Sequence, residues 1–153
     1  MDDGPRPLDS VDRALLRILA RARLPHAELA RRVNLSRPAV YNRLKRMEAT
    51  RVIRGYRASL DWEAVGRPLT VFVLVRTAGP AATSTAKAIL AFSDDDATVD
   101  ECFRVTGEWS LLLGIHAATP RAVEQIIDRV RGLPNVRATL TLVTLSALHE
   151  ELQ

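Results

Sequence analysis

The chain has 153 residues, 47% of them apolar, enough for one ordinary domain or two small ones with thin cores. No apolar run approaches the roughly 18 residues that a membrane span needs, and the acidic opening MDDGPRPL lacks the hydrophobic stretch of a secretory signal, so the expected location is the cytoplasm with no membrane partner. The net charge of +4 is unevenly spread: residues 1–60 carry 14 Lys/Arg against 6 Asp/Glu, and residues 61–153 carry 8 against 12. A basic half joined to an acidic half suggests that only the first meets a polyanion.

From Asp9 to Ala22 the residues Val11, Leu15, Ile18, Leu19 and Ala22 recur at helical spacing, with Asp9 placed as an N-cap and Arg13, Arg17 and Arg21 on another face. After a break at Leu24-Pro25, Ala27, Leu29, Ala30 and Val33 mark a second, short helix. Asn34 then stands where a tight bend needs the left-handed conformation that asparagine tolerates. Ser36 caps a third helix, with Pro38 in its first turn, where a missing N–H costs nothing.

In that third helix Val40, Leu44 and Met47 form the buried stripe, which points Pro38, Asn42, Lys45 and Arg46 outward with Tyr41 on the flank. An amide, a phenol and cations on one helix face suit the base edges and phosphates of a DNA major groove, and Ser36 and Arg37 lie at the helix N-terminus, which favours phosphate. The expected double-stranded DNA contacts are therefore Ser36, Arg37, Pro38, Tyr41, Asn42, Lys45, Arg46 and Arg54. Residues 52–60 alternate loosely and end the half as a strand or wing, giving a winged helix-turn-helix over residues 1–60.

Residues 61–69, with Gly66 and Pro68, read as a linker, and residues 70–153 as a second domain. Thr70–Thr77 is a β-branched run typical of a buried strand, and Pro80–Phe92 carries Ala82, Ala86, Ile89 and Leu90 on one helical face. Val99–Val105 and Trp109–His116 flank the short loop Thr106-Gly107-Glu108 as a hairpin. A helix from Pro120 and a last strand complete the order strand, helix, strand, strand, helix, strand, the ferredoxin-like βαββαβ arrangement of an α+β protein. In the last strand Val136, Ala138, Leu140 and Leu142 share one face, while Arg137, Thr139 and Thr141 share the other, read as exposed. Two helices cover only one face of a four-stranded sheet, and a second copy of the chain is the simplest cover for the other.

LDSVDRALLRIL followed by AELARRVNLSRPAVYNRLKRMEATRVIRGYRASLD resembles the DNA-binding domain of the Lrp/AsnC regulators, the feast/famine proteins, over nearly all of residues 8–66. The family usually has glycine where this chain has Arg51, and often where it has Ala22. The stretches Cys102–Glu108, Leu133–Val136 and Thr139–Thr141 resemble the regulatory, or RAM, domain of the same family. The resemblance implies sheets paired into homodimers, dimers assembled into tetramers or octamers, and a small effector, usually an amino acid, held between dimers. Carried over to this chain, the effector contacts are Gly107, Glu108, Trp109, Ser110, Thr139 and Thr141. Ser110 stands where the family commonly has a second acidic residue, and a hydroxyl offers an ammonium only an uncharged hydrogen bond.

The pattern for catalysis is missing. His26, His116 and His149 lie in different elements, and there is no HExxH, no second cysteine and no glycine-rich phosphate loop. No catalytic residue, metal or cofactor is expected. Asp94, Asp95 and Asp96 read as solvated turn residues, and Cys102 as a small buried hydrophobe on a strand. The competing reading is an architectural DNA-binding protein that senses no effector, whose affinity would be nearly independent of sequence.

Overall fold

The computed structural model describes residues 7–146, in two units divided between Ser59 and Leu60. His149 lies outside the described residues.

The first unit is built from α1 (Ser10–Leu19), α2 (His26–Arg32) and α3 (Arg37–Ala49). Asp9 caps α1 in a reciprocal box: its carboxylate accepts the Asp12 N–H at 2.8 Å, and the Asp12 carboxylate accepts the Asp9 N–H at 3.2 Å. Leu15, Leu29, Ala30, Val40, Leu44 and Met47 form the core, with Ile18, Leu24 and Ile53 packed against it. Asn34 adopts φ +53° at the bend between α2 and α3, where the Leu35 N–H reaches back to the Ala30 carbonyl. A second left-handed residue, Arg51 at φ +56°, ends α3 and turns the chain so that the Ile53 N–H reaches the Met47 carbonyl.

The expected wing is not formed. Residues 54–60 run without a ladder partner in this chain, and alternation alone makes no strand where nothing pairs with it.

The second unit contains β1 (Leu69–Thr77), α4 (Ala82–Leu90), β2 (Ala97–Arg104), β3 (Leu111–Ala117), α5 (Pro120–Arg131) and β4 (Val136–Val143). The strands form one antiparallel sheet in the order β2-β3-β1-β4, the ferredoxin-like arrangement. Thr119 caps α5 with its hydroxyl on the Ala122 N–H, and Pro120 opens the helix. Ile89 of α4 and Val123, Ile126 and Val130 of α5 bury against Val71, Val73 and Val75 of β1 and Leu111, Leu113 and Ile115 of β3. Full burial of one such side chain stabilises the unit by about 1.5–3 kcal/mol.

The start of this unit is anchored rather than slack. Asp61 caps a single turn at residues 62–66, and the Trp62 ring stacks on His116 of β3 at 3.9 Å with an interplanar angle of 11°. The Arg67 guanidinium donates to the carbonyls of Asp94 and Asp95. Asp94 in turn accepts the N–H groups of Asp96 and Ala97, so the acidic turn is held by hydrogen bonding, and among the described residues no cluster suited to a metal ion occurs. Burial raises the pKa of the Cys102 thiol, which packs half-buried against the core.

The two faces of β4 are reversed from expectation. Thr139, Thr141 and Val143 pair with Val75, Val73 and Val71, and so lie on the side that the helices cover. Leu140 and Leu142 pair with Leu74 and Phe72 on the open side, where they are 44% and 49% exposed. Two apolar rows cross that open face: Phe103, Leu112, Leu74 and Leu140, then Gly114, Phe72 and Leu142.

Candidate DNA-reading face and ligand-binding end

The bend at Asn34 presents α3 with its buried stripe inward, and Ser36 secures its start by accepting the Ala39 N–H at 3.3 Å. Ser36, Arg37, Pro38, Tyr41, Asn42 and Lys45 are all exposed, so the structure brings six of the expected DNA contacts onto one continuous surface. The Lys45 ammonium sits 5.3 Å from the centre of the Tyr41 ring, and the hydrogen bond to Tyr41 raises its pKa above the ordinary 10.5, which secures the cation. Tyr41 in turn leans on His26 at 5.9 Å, tying the outer face to α2. Arg54 is exposed but belongs to the unpaired segment after α3.

Arg46 departs from the expected outward orientation. Its Nη2 binds Asp12 at 2.5 Å, and the Nη1 of Arg43, one turn earlier, binds both Asp9 at 2.6 Å and Asp12 at 2.8 Å. The Asp12 side chain has no exposed surface. Hydrogen bonding to the Asp12 backbone, then to Arg43, lowers the Asp9 pKa from 3.8 to about 2. On α2, Arg31 and Arg32 share Glu28, whose pKa they likewise lower to about 2. The basic half thus divides: Arg31, Arg32, Arg43 and Arg46 are ion-paired, while among the described residues Arg37 and Lys45 form no salt bridge.

In the second unit the loop between β2 and β3 packs on the end of β1. Gly107 takes φ +106°, a conformation that favours glycine. Glu108 accepts Arg76 at 3.1 Å, and the same guanidinium lies 5.8 Å from the Trp109 ring centre. Ser110 is drawn into the strand ends: its N–H donates to the Val75 carbonyl and its hydroxyl accepts the Thr77 N–H at 3.1 Å. On the other side of Val75, the Thr139 hydroxyl accepts Arg131 at 2.9 Å, and half-buried Thr141 lies one step further along β4. Gly107, Glu108, Trp109, Ser110 and Thr139 therefore surround one end of the sheet, with Thr141 set further in.

Arg43, Arg76 and Asp12 escape a sequence reading of these sites. Arg76 had one cue, a lone cation closing the apolar run VFVLV, and Asp12 had the Asp9-x-x-Asp12 spacing of a capping box.

Residues 8–48 match the model of the AsnC-type helix-turn-helix domain, and residues 70–153 that of the Lrp/AsnC ligand binding domain. The HTH-type transcriptional regulator LrpA of Mycobacterium tuberculosis is 38% identical over 137 residues, 89% of either chain. Among solved structures, a feast or famine regulatory protein from M. tuberculosis complexed with L-methionine superposes with a TM-score of 0.77 at 36% identity, over 92% of this chain and 94% of that one. A transcriptional regulator of Neisseria meningitidis in complex with L-Met gives 0.79 at 27% identity, over 93% and 92%. The chain belongs to the Lrp/AsnC family of helix-turn-helix transcriptional regulators with a ligand-binding domain.

Proposed function

We propose that this regulator binds DNA sequence-specifically as a homodimer, through the outer face of α3, and that an amino acid bound between dimers controls it. The continuous exposed set Ser36, Arg37, Pro38, Tyr41, Asn42 and Lys45 carries the reading: the Asn42 amide suits a base edge, and the Arg37 and Lys45 cations suit phosphates. Arg54 adds a cation beyond the helix.

The open apolar face of the sheet supports the homodimer, since Phe72, Phe103, Leu140 and Leu142 are each 38% exposed or more and a second copy would bury them. Dimers then assemble to tetramers or octamers. The effector seat is the end of the sheet with Gly107, Glu108, Trp109, Ser110, Thr139 and Thr141. Because Ser110 already accepts a backbone N–H, Glu108 is the group left for an effector ammonium, and Arg76, freed from Glu108, suits the carboxylate. The methionine complexes of relatives support this ligand class. Effector binding biases the oligomer between assemblies that present the DNA-reading faces at different spacings, in the cytoplasm where the DNA is.

The test is a binding assay on duplexes selected by the protein from a random pool, with and without each of the twenty amino acids. Selected duplexes are expected to bind far tighter than random ones, with a shift on adding at least one amino acid. Equal affinity for all duplexes and no response would leave the architectural reading. Asn42→Ala should cost about 1–3 kcal/mol on a selected duplex and little on a random one.

A further inference from the structure

Asp12 is the one fully buried carboxylate among the described residues, and removing a carboxylate from water is costly unless its oxygens are matched. Here they are matched by three N–H groups: the Asp9 backbone at 3.2 Å, Arg43 at 2.8 Å and Arg46 at 2.5 Å. Two of these donors belong to α3, one turn apart. Merely holding two helices together needs no charge, since a well-packed apolar pair does as well. What a buried carboxylate adds is direction, because it fixes where a planar guanidinium lies.

Each guanidinium commits a single nitrogen to the aspartates, and the side chains of Arg43 and Arg46 remain 25% and 31% exposed. On a helical wheel Arg46 stands about 40° from Asn42. We propose that Asp12 is a positioning residue for DNA reading: through Arg43 and Arg46 it sets the rotation of α3 on α1 and presents the free edges of both guanidinia, prearranged, to the phosphates beside the bases that Asn42 meets. The capping box of α1 is thereby part of the DNA-reading apparatus, although Asp12 itself never touches DNA. A phosphate binder whose rotamer is already fixed loses less freedom on binding than a free lysine or arginine does.

The proposal rests on α3 being the reading helix, and one experiment separates the two. The wild-type chain selects duplexes from a random pool, and affinities for a selected and a random duplex are measured across salt concentrations for wild type, Asp12→Asn, Arg46→Lys and the double variant. Asp12→Asn should lose about tenfold or more on the selected duplex while holding or gaining on the random one, because it frees two cations without placing them. Arg46→Lys keeps the charge and leaves the core intact, and should lower the selected-to-random ratio in the same direction. The double variant should be no worse than Asp12→Asn, the signature of one residue acting through the other. Equal losses on both duplexes, an unchanged ratio in Arg46→Lys, or additive effects would each overturn the positioning role. Failure of the wild type to select any sequence would instead remove the reading of α3, and this inference with it.

Discussion

The two units fix their functional surfaces by different means. In the first, three short helices share a core of six buried apolar residues, and the charged lattice of Asp9, Asp12, Arg43 and Arg46 ties α3 to α1. In the second, a hydrogen-bonded sheet and fifteen buried apolar residues set the geometry, and the ion pairs Arg76–Glu108 and Arg129–Asp94 lie exposed on the rim. Where a backbone ladder already fixes position, charged side chains stay free to meet a ligand. Where short helices must be aligned, some of the charges are tied into the alignment, and the basic half carries fewer unpaired cations than its composition promises.

This contrast has consequences that differ in size. The largest lies on the open sheet face, where, if the proposed homodimer forms there, Leu140→Asp should place a carboxylate from each copy in its interface and cost on the order of 5 kcal/mol per dimer. Sedimentation should show the variant as a monomer with its fold retained, because Leu140 contributes nothing to the helix-covered core. A variant that remained dimeric would move the interface elsewhere.

Next come matched truncations in the two cores. Leu15→Ala and Leu113→Ala each remove a fully buried side chain and should each cost about 2–5 kcal/mol. The same loss is a larger fraction of what the small helical unit can hold, so amide exchange in Leu15→Ala should rise throughout α1–α3. In Leu113→Ala, exchange should rise in the second unit with its central strands still the most protected. Equal tolerance of both changes would erase the contrast.

A smaller effect, confined to acid, isolates the charged lattice. Asp9 is shifted down from 3.8 to about 2, so its contribution to stability is complete above pH 4 and is lost as the pH falls from about 4 through 2. Unfolding of the first unit followed across that window should show the loss, and Asp9→Asn should flatten it. Glu28 titrates in the same range, but its arginine partners are more than half exposed, so Glu28→Gln should change the profile less.

Much of this architecture is written locally and is therefore legible. Ser36, Pro38 and Asn34 declare the start of α3 and the bend before it, and the order of apolar runs declares βαββαβ. What escapes is whatever depends on a second element. A helical wheel points Arg46 outward from α3 but does not say that α1 brings a buried aspartate there. Alternation along β4 separates Leu140 and Leu142 from Thr139 and Thr141, but a period of two assigns residues to faces without saying which face the helices cover. Residues 52–60 alternate and still make no strand, because pairing requires another strand.

The smallest predicted effect concerns two places where this chain departs from the family's glycines, and the backbone separates them. Arg51 takes φ +56°, which costs a side chain with a Cβ about 1–2 kcal/mol, so the glycine that the family places there answers a real demand. Arg51→Gly should relieve that strain and lose part of the gain to the greater freedom of glycine in the unfolded chain, leaving a net stabilisation of about 0.5 kcal/mol. Among the described non-glycine residues only Asn34 and Arg51 have positive φ, so Ala22 is not strained, and Ala22→Gly should destabilise by about 0.5–1 kcal/mol for want of anything to relieve. Asn34→Gly should fall between them, since asparagine already tolerates the left-handed region. Thermal unfolding of the three variants should rank Arg51→Gly highest and Ala22→Gly lowest. The reverse order would mean that the end of α3 does not need its left-handed turn, and with it the packing of Ile53 back onto the core would come loose from its cause.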